Sequence, residues 1–309
     1  MSAAVADEAF EHPALFYSSK QEYTEQTVAF VREGLAAGEP VAVAVPGPNL
    51  ELIKTALAAS AEDLLLVDME RAGRNPGRII PGVLRHFADA HAEARVRIIG
   101  EPIWAGRSPV EYPACAQHEA LINAAFEGRA AIILCPYDES RLEEQVLADA
   151  RITHPTLIRA GQEEVSDVYD WQEVVARYNQ ALPPAPHAAT FSYEAEDLPR
   201  VRHFAVEQAV RLGLTGGRLQ DAQLAVAELT TNSVLHGGGR GTLAIWAHDG
   251  QVVVEVRDAG HLSDPLAGRR PPQPRQIGGR GLMLVHYVSD LVRVHTGTEG
   301  TTVRFYLTI

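Results

Sequence analysis

Glu228 and Asn232 stand four residues apart in the stretch Ala225-Val-Ala-Glu-Leu-Thr-Thr-Asn-Ser-Val-Leu-His236. On a helix, that spacing puts both side chains on one face. The carboxylate can orient or deprotonate an attacking hydroxyl, and the amide oxygen is a hard ligand suited to Mg²⁺. An aspartate bracketed by small residues follows at Asp258-Ala-Gly260, and then a cluster Gly278-Gly-Arg-Gly-Leu282. Glycines without Cβ let backbone N–H groups approach phosphates, above all at a helix N-terminus. The three elements together read as a site for ATP with Mg²⁺.

Other residues could form a second site nearer the N-terminus. Glu101 and Trp104 follow an apolar run, at the strand end where α/β sheets place ligands. His12, Tyr17 and Cys135 lie beside similar runs. They are candidates for a pocket that senses a small molecule.

The elements that must position these groups fall into two halves. The chain has 309 residues and 46% hydrophobic content, enough for about two domains. Of its 27 basic and 40 acidic residues, 12 of each lie in 186–309, so the net charge of −13 sits entirely on 1–185. Nucleic-acid phosphates need a basic surface, so no direct nucleic-acid contact is expected of that half. No run approaches the length of a membrane span, and the N-terminus lacks the pattern of a signal peptide. Two cysteines without metal-ligand spacing fit a reduced, cytoplasmic protein.

A Pro-rich segment at 181–190 reads as a linker between a domain at 1–180 and one at 191–309. Before it, short apolar runs at 41–45, 64–67, 96–99 and 131–134 read as buried parallel strands. Helices are expected at 20–37, 49–59, 78–93, 115–127, 138–150 and 163–178. Ser18 or Ser19 is the expected cap of the first, and Asp138 or Ser140 that of the 138–150 helix. After the linker come a short strand at 191–193 and helices at 197–212 and 219–236. A hairpin then turns at Asp249-Gly250, a Pro/Arg-rich loop spans 264–276, and a helix opens at Gly281. Strands at 291–295 and 301–309 close a mixed sheet with helices on one face. In the last strand, Val303, Phe305, Leu307 and Ile309 alternate with outward positions.

Residues 190–309 resemble the GHKL (Bergerat) ATP-binding α/β sandwich shared by gyrase and histidine kinases. The run Glu228-Leu-Thr-Thr-Asn-Ser-Val-Leu-His236 is most similar to anti-sigma-factor serine kinases. The resemblance implies that Asn232 holds Mg²⁺ and that Glu228 acts on a substrate serine hydroxyl. It implies that Asp258 accepts from the adenine amino group, with Gly260 giving the base room. Gly278, Gly279, Arg280, Gly281 and Leu282 would cradle phosphate, with Thr301 at the adenine edge and His236 on the same face. The implied partners are an anti-sigma-factor antagonist of STAS type, a sigma factor, or both, and a homodimer is expected of such kinases. Where relatives often carry a second glycine after the aspartate, Leu262 stands here, and the domain has no lysine. Those departures keep open a non-catalytic, nucleotide-gated binding module. A histidine-kinase-like sensor is disfavoured, because no pair of dimerisation helices precedes the domain.

His12-Pro-Ala-Leu-Phe-Tyr17, Gly38-Glu-Pro-Val-Ala-Val43, Gly100-Glu-Pro-Ile-Trp104 and Leu134-Cys-Pro-Tyr137 resemble the MEDS sensory domain. That resemblance implies a RecA/KaiC-like parallel-sheet fold without the ATPase motif and an unidentified small-molecule signal. Val45-Pro-Gly-Pro-Asn49, where no phosphate-loop pattern occurs, is expected to follow the first strand.

Overall fold

The computed structural model describes residues 10–271 and 279–309. The chain divides into two compact units, Met1–Tyr178 and Asn179–Ile309. Among the described residues no helix is long and apolar enough to cross a membrane.

The first unit alternates strands with helices. In order these are β1 (Pro13–Tyr17), α1 (Lys20–Ala36), β2 (Val41–Val45), α2 (Gly47–Leu57), β3 (Leu65–Asp68), α3 (Met69–Ala72), α4 (Arg85–Ala90), β4 (Val96–Gly100), α5 (Tyr112–Ala125), β5 (Ala131–Asp138), α6 (Glu144–Thr153), β6 (Thr156–Arg159), β7 (Gln162–Val165) and α7 (Trp171–Arg177). The seven strands form one sheet in the order β3-β2-β4-β5-β1-β6-β7. All its pairings are parallel except β6 with β7. Central strands β1, β2 and β5 are buried along nearly their whole length, which is why they lack the alternation of a half-exposed strand.

Four local expectations need correction. The first strand is Pro13–Tyr17, so the loop after it is Ser18-Ser19 and not Val45-Pro-Gly-Pro-Asn49. The span 163–178 is not one helix, because strand β7 fills its start and only Trp171–Arg177 is helical, capped by Asp170. The 78–93 span is broken: a 3₁₀ turn and a π turn around Pro76 and Pro81 precede α4. Proline has no N–H to give to a regular ladder. Helix α6 starts at Glu144 with Glu143 as its cap, because β5 runs on to Asp138, whose carboxylate instead accepts from the Ser140 N–H. Ser19 does cap α1, accepting from the Glu22 N–H.

The second unit contains β8 (Ala189–Glu194), α8 (Leu198–Arg211), α9 (Gly216–His236), β9 (Arg240–His248), β10 (Gln251–Asp258), α10 (Gly281–Val288), β11 (Leu291–Gly297) and β12 (Gly300–Thr308). The sheet order is β11-β12-β10-β9-β8. Every pairing is antiparallel, so the sheet is not mixed as expected. The β9–β10 hairpin turns on Asp249 (φ 46°) and Gly250 (φ 71°), two left-handed residues that match strand twist. Ala225, Val226 and Leu229 of α9, Val201 and Ala205 of α8 and Val285 of α10 bury against Val254, Val256, Phe305 and Leu307. The opposite face is not left to solvent along β12. Arg304 is buried there, donating to Glu255 at 2.8 Å and to the Pro183 carbonyl at 2.6 Å. Ile309 is exposed and ends the alternation. The Pro/Arg-rich loop at 264–276 lies in part outside the described residues.

Candidate functional sites

Helix α9 carries Glu228 and Asn232 on its half-buried side. The N-terminus of α10 packs directly against them. A Cβ added at Gly281 would sit 2.6 Å from Glu228 Oε2 and 3.1 Å from Asn232 Nδ2. Glycine lets α10 begin there without displacing the Glu228 carboxylate. The first-turn N–H groups of Gly281, Leu282 and Met283 have no partner inside the helix, since the ladder starts with Leu284 N–H donating to Arg280. These residues, with Asn232, line a cleft of about 560 Å³, within the range of small-ligand pockets.

Asp258 ends β10 on the far side of that cleft. Its Oδ2 accepts from the Ser233 hydroxyl at 2.7 Å, and its Oδ1 accepts from the Gly260 N–H at 2.9 Å. Ser233 follows Asn232 on α9, so one helix positions both ends of the site. Thr301 lies opposite Asp258 in the β10–β12 register and donates to the Gly260 carbonyl at 2.8 Å. His236 is exposed at the end of α9 and lines the cleft, as do Gly260, Gly279, Arg280 and Leu282. Gly278 lies outside the described residues. The structure therefore brings Asn232, His236, Asp258, Gly260, Gly279, Arg280, Gly281, Leu282 and Thr301 around one cleft, with Glu228 against Gly281 at its edge.

Sequence reasoning missed Ser233, Gly237 and Arg270. Ser233 carries no motif signal, because its role depends on where α9 meets the end of β10. Arg270 adds a second guanidinium to a lysine-free cleft. Chemically, the site offers carboxylate acceptors at Asp258. Backbone donors and a helix dipole favouring anions stand at α10, with a carboxylate and an amide oxygen beside them.

In the first unit, Tyr17, Glu101 and Trp104 share a pocket of about 420 Å³ at the C-terminal ends of parallel strands. Glu101 is buried and accepts from Asn49 Nδ2 at 2.9 Å and from the Tyr23 hydroxyl at 3.1 Å. Burial outweighs both donors and pushes its carboxyl up to about 8. Burial, with the Glu101 charge, also raises the Tyr17 phenol. Trp104 is half-buried under Arg107, whose guanidinium carbon stands 3.9 Å from the ring centre. Lys20, at the start of α1, lines the same pocket.

His12 and Cys135 are not in that pocket. They meet each other, Sγ to Nε2 3.4 Å, at the opposite end of β1. Five residues of strand separate His12 from Tyr17, a rise of about 16 Å. The five candidates thus occupy two places.

Residues 11–155 match the family described as the MEDS (MEthanogen/methylotroph, DcmR Sensory) domain, and residues 191–307 match the histidine kinase-like ATPase domain. The serine-protein kinase RsbW of Halalkalibacterium halodurans is 33% identical to this chain over 98 residues, 28% of the chain. The match spans 60% of that relative's length. Residues 11–155 are thus similar to MEDS domains and residues 191–307 to histidine kinase-like ATPase domains, with similarity over part of the chain to a serine-protein kinase.

Proposed function

We propose that this pairing of a MEDS domain with a GHKL-type ATPase domain is a sensor-regulated protein serine kinase. Its C-terminal unit binds ATP·Mg²⁺ and transfers the γ-phosphoryl group to a serine of a STAS-type anti-sigma-factor antagonist, or sequesters a sigma factor. The observation that carries the reading is the packing of Gly281 against both Glu228 and Asn232. It sets a candidate base, a candidate Mg²⁺ ligand and an anion-binding helix N-terminus within contact of one another. The donor set fits the group: the amide oxygen of Asn232 suits a hard cation, and bare N–H groups suit phosphate oxygens.

When bound, Mg²⁺ would supply charge neutralisation at the transferring phosphoryl group. The rest is done by the chain. Asp258, fixed by Ser233 and the Gly260 N–H, accepts from the adenine amino group. Gly279, Gly281 and the α10 amides hold phosphate, with Arg280 and Arg270 as the cationic contacts. Glu228 takes the proton of the serine hydroxyl as it attacks. Phosphoryl transfer is mostly positioning and electrostatics, so this set is sufficient in kind. The signal entering the MEDS unit would be a small molecule in the pocket of Tyr17, Glu101 and Trp104.

The test is calorimetric titration of ATP and ADP, with and without Mg²⁺, into the wild type and the Asn232→Ala and Glu228→Ala variants. Binding that needs Mg²⁺ and is lost in Asn232→Ala supports the site. Retained binding in Glu228→Ala with abolished transfer supports the catalytic role of the glutamate. No binding to the wild type, or transfer that survives Glu228→Ala, overturns the corresponding part. Leu262 favours a second reading. It stands in the cleft wall, its N–H donating to Thr296 Oγ1 at 3.0 Å, where relatives often keep a glycine. In that reading, nucleotide sets partner affinity without turnover, and phosphorylation of an antagonist serine rules it out.

A further inference from the structure

Four buried side chains of the first unit converge away from the strand-end pocket. His12 precedes β1, Glu119 lies on α5, Cys135 on β5, and His154 ends α6. Each is at most 1% exposed. One ligand atom from each lies within 4.8 Å of the others.

The surrounding hydrogen bonds fix both imidazoles. Asn123 donates its amide nitrogen to the carbonyls of Thr153 at 2.9 Å and Ala120 at 3.1 Å. Its oxygen is therefore the atom 3.2 Å from His12 Nδ1, which must carry the proton. His154 Nδ1 stands 2.8 Å from the Ala150 carbonyl, again an acceptor, so it too carries the proton. In the neutral form of each ring, Nε2 then carries the lone pair and faces the cluster. Such anchoring of Nδ1 is what metal-ligating histidines require of their surroundings.

The cluster then holds two imine nitrogens, a thiol and a carboxylate, all electron-pair donors. His154 Nε2 lies 3.1 Å from Glu119 Oε2 and has no hydrogen-bond partner among the described residues. Glu119 Oε2 accepts from the Tyr137 hydroxyl at 2.9 Å, while Oε1 is buried without a partner. The thiol proton of Cys135 can serve His12 Nε2, but the lone pairs of neutral His154 and of Glu119 repel in a dry interior unless a positive charge stands between them.

The spacings suit a cation. Tetrahedral coordination with bonds of 2.0–2.3 Å places ligand atoms about 3.4 Å apart. Three of the six separations are 3.1 Å for His154 and Glu119, 3.4 Å for Cys135 and His12, and 3.9 Å for His12 and Glu119, and all lie within 4.8 Å, so the side chains would draw in slightly on binding.

We propose that His12, Glu119, Cys135 and His154 form a buried four-coordinate site for a divalent transition-metal ion, with Zn²⁺ the ion its two nitrogens, one sulfur and one oxygen fit. The Cys135 thiol would release its proton to solvent as the sulfur–metal bond forms. With all four positions filled by the protein, the site is structural in type and closed to substrate. It pins the start of β1 to β5, α5 and the end of α6.

The test uses the full-length protein. Its metal content is measured as purified without chelator, and the stripped protein is then titrated with Co²⁺. About one equivalent of metal per chain is expected, with the intense visible bands of tetrahedral Co²⁺ and a near-ultraviolet thiolate charge-transfer band. Cys135→Ser should lose that band and at least tenfold in affinity, and Cys115→Ser should keep both. Less than about 0.1 equivalent with no Co²⁺ spectrum overturns the proposal, as does a spectrum unchanged by Cys135→Ser. Should Cys135→Ser fail to fold, the wild-type titration decides alone, because a charge-transfer band kept in Cys115→Ser has only Cys135 as its source. Six-coordinate Co²⁺ without a thiolate band would also refute it.

Discussion

Gly281→Ala separates stability from function at the C-terminal site. Gly281 begins α10 and has no positive φ, so alanine suits its backbone. Alanine is the better helix former by up to about 1 kcal/mol. The new methyl would lie 2.6 Å from Glu228 Oε2 and 3.1 Å from Asn232 Nδ2, against ordinary contacts of 3.4 Å or more. The carboxylate must therefore retreat by about 0.8 Å. Retreat is cheap for the fold, since the atom that moves is the far end of a flexible side chain. It is costly for chemistry, where a misplacement of about 1 Å lowers rate by about 10²-fold. That is roughly 2.7 kcal/mol at the transition state. The expected variant melts within a few degrees of the wild type and transfers phosphoryl about a hundredfold more slowly. Its affinity for ATP falls less than tenfold, because the α10 amides and Asp258 are untouched. Thermal melts, calorimetry with ATP·Mg²⁺ and timed transfer to a STAS-type antagonist measure the three quantities. A transfer rate equal to wild type would refute the reasoning. So would a loss fully accounted for by unfolding or by lost ATP affinity.

Two further outcomes follow from the hydrogen bonds. Ser233→Ala removes the hydroxyl that holds Asp258 Oδ2 and should weaken ATP about tenfold while leaving GTP affinity, expected to be lower, unchanged; competition titrations with the two nucleotides check it. Burial pushes the Glu101 carboxyl from its ordinary 4.5 up to about 8, so the stability its protonated form confers is complete below 4.5 and is lost as pH rises through 8. Melting temperature of the wild type should fall across that window, Glu101→Gln should flatten the profile, and equal slopes in the two proteins would place the pH dependence elsewhere.

The C-terminal site was legible because its signals are local. A carboxylate and an amide four residues apart need only a helix to share a face, and α9 supplies it. The contact of Ser233 with Asp258 was not legible, because it joins positions 25 residues apart through the packing of α9 on the end of β10. In the first unit β1 escaped notice. It is five residues long, buried on both faces, and so shows no alternation. Missing it misplaced the loop that follows the first strand, which is Ser18-Ser19 before Lys20. It also hid the direction of the chain between His12 and Tyr17, so residues at opposite ends of one strand were grouped as one pocket. The proposed metal cluster was not legible in the cysteine spacing for a related reason. The cluster at Cys135 draws its other members from three distant segments, and only the sheet order brings them together.

Three glycines, Gly237 and Gly300 among them outside any motif, explain why Asp258 stands where it does. A Cβ at Gly237 would fall 2.4 Å from Asp258 Cγ, and one at Gly300 would fall 2.0 Å from the Asp258 carbonyl oxygen. Gly300 also has φ +114°, a conformation that L side chains rarely adopt. At Gly260 the added carbon would meet the His236 carbonyl at 2.7 Å. The backbone therefore closes on the aspartate from α9, from β12 and from its own turn. A carboxylate offers about four acceptor positions, and Ser233 and the Gly260 N–H take two. The remainder can only accept. At the other end of the cleft, the α10 amides and Arg280 can only donate. A ligand complementary to both ends has a hydrogen-bond donor at one extremity and anionic oxygens at the other. An adenine amino group and a phosphate chain have that polarity. A guanine would set a carbonyl against the carboxylate, which is the physical ground for expecting ATP over GTP.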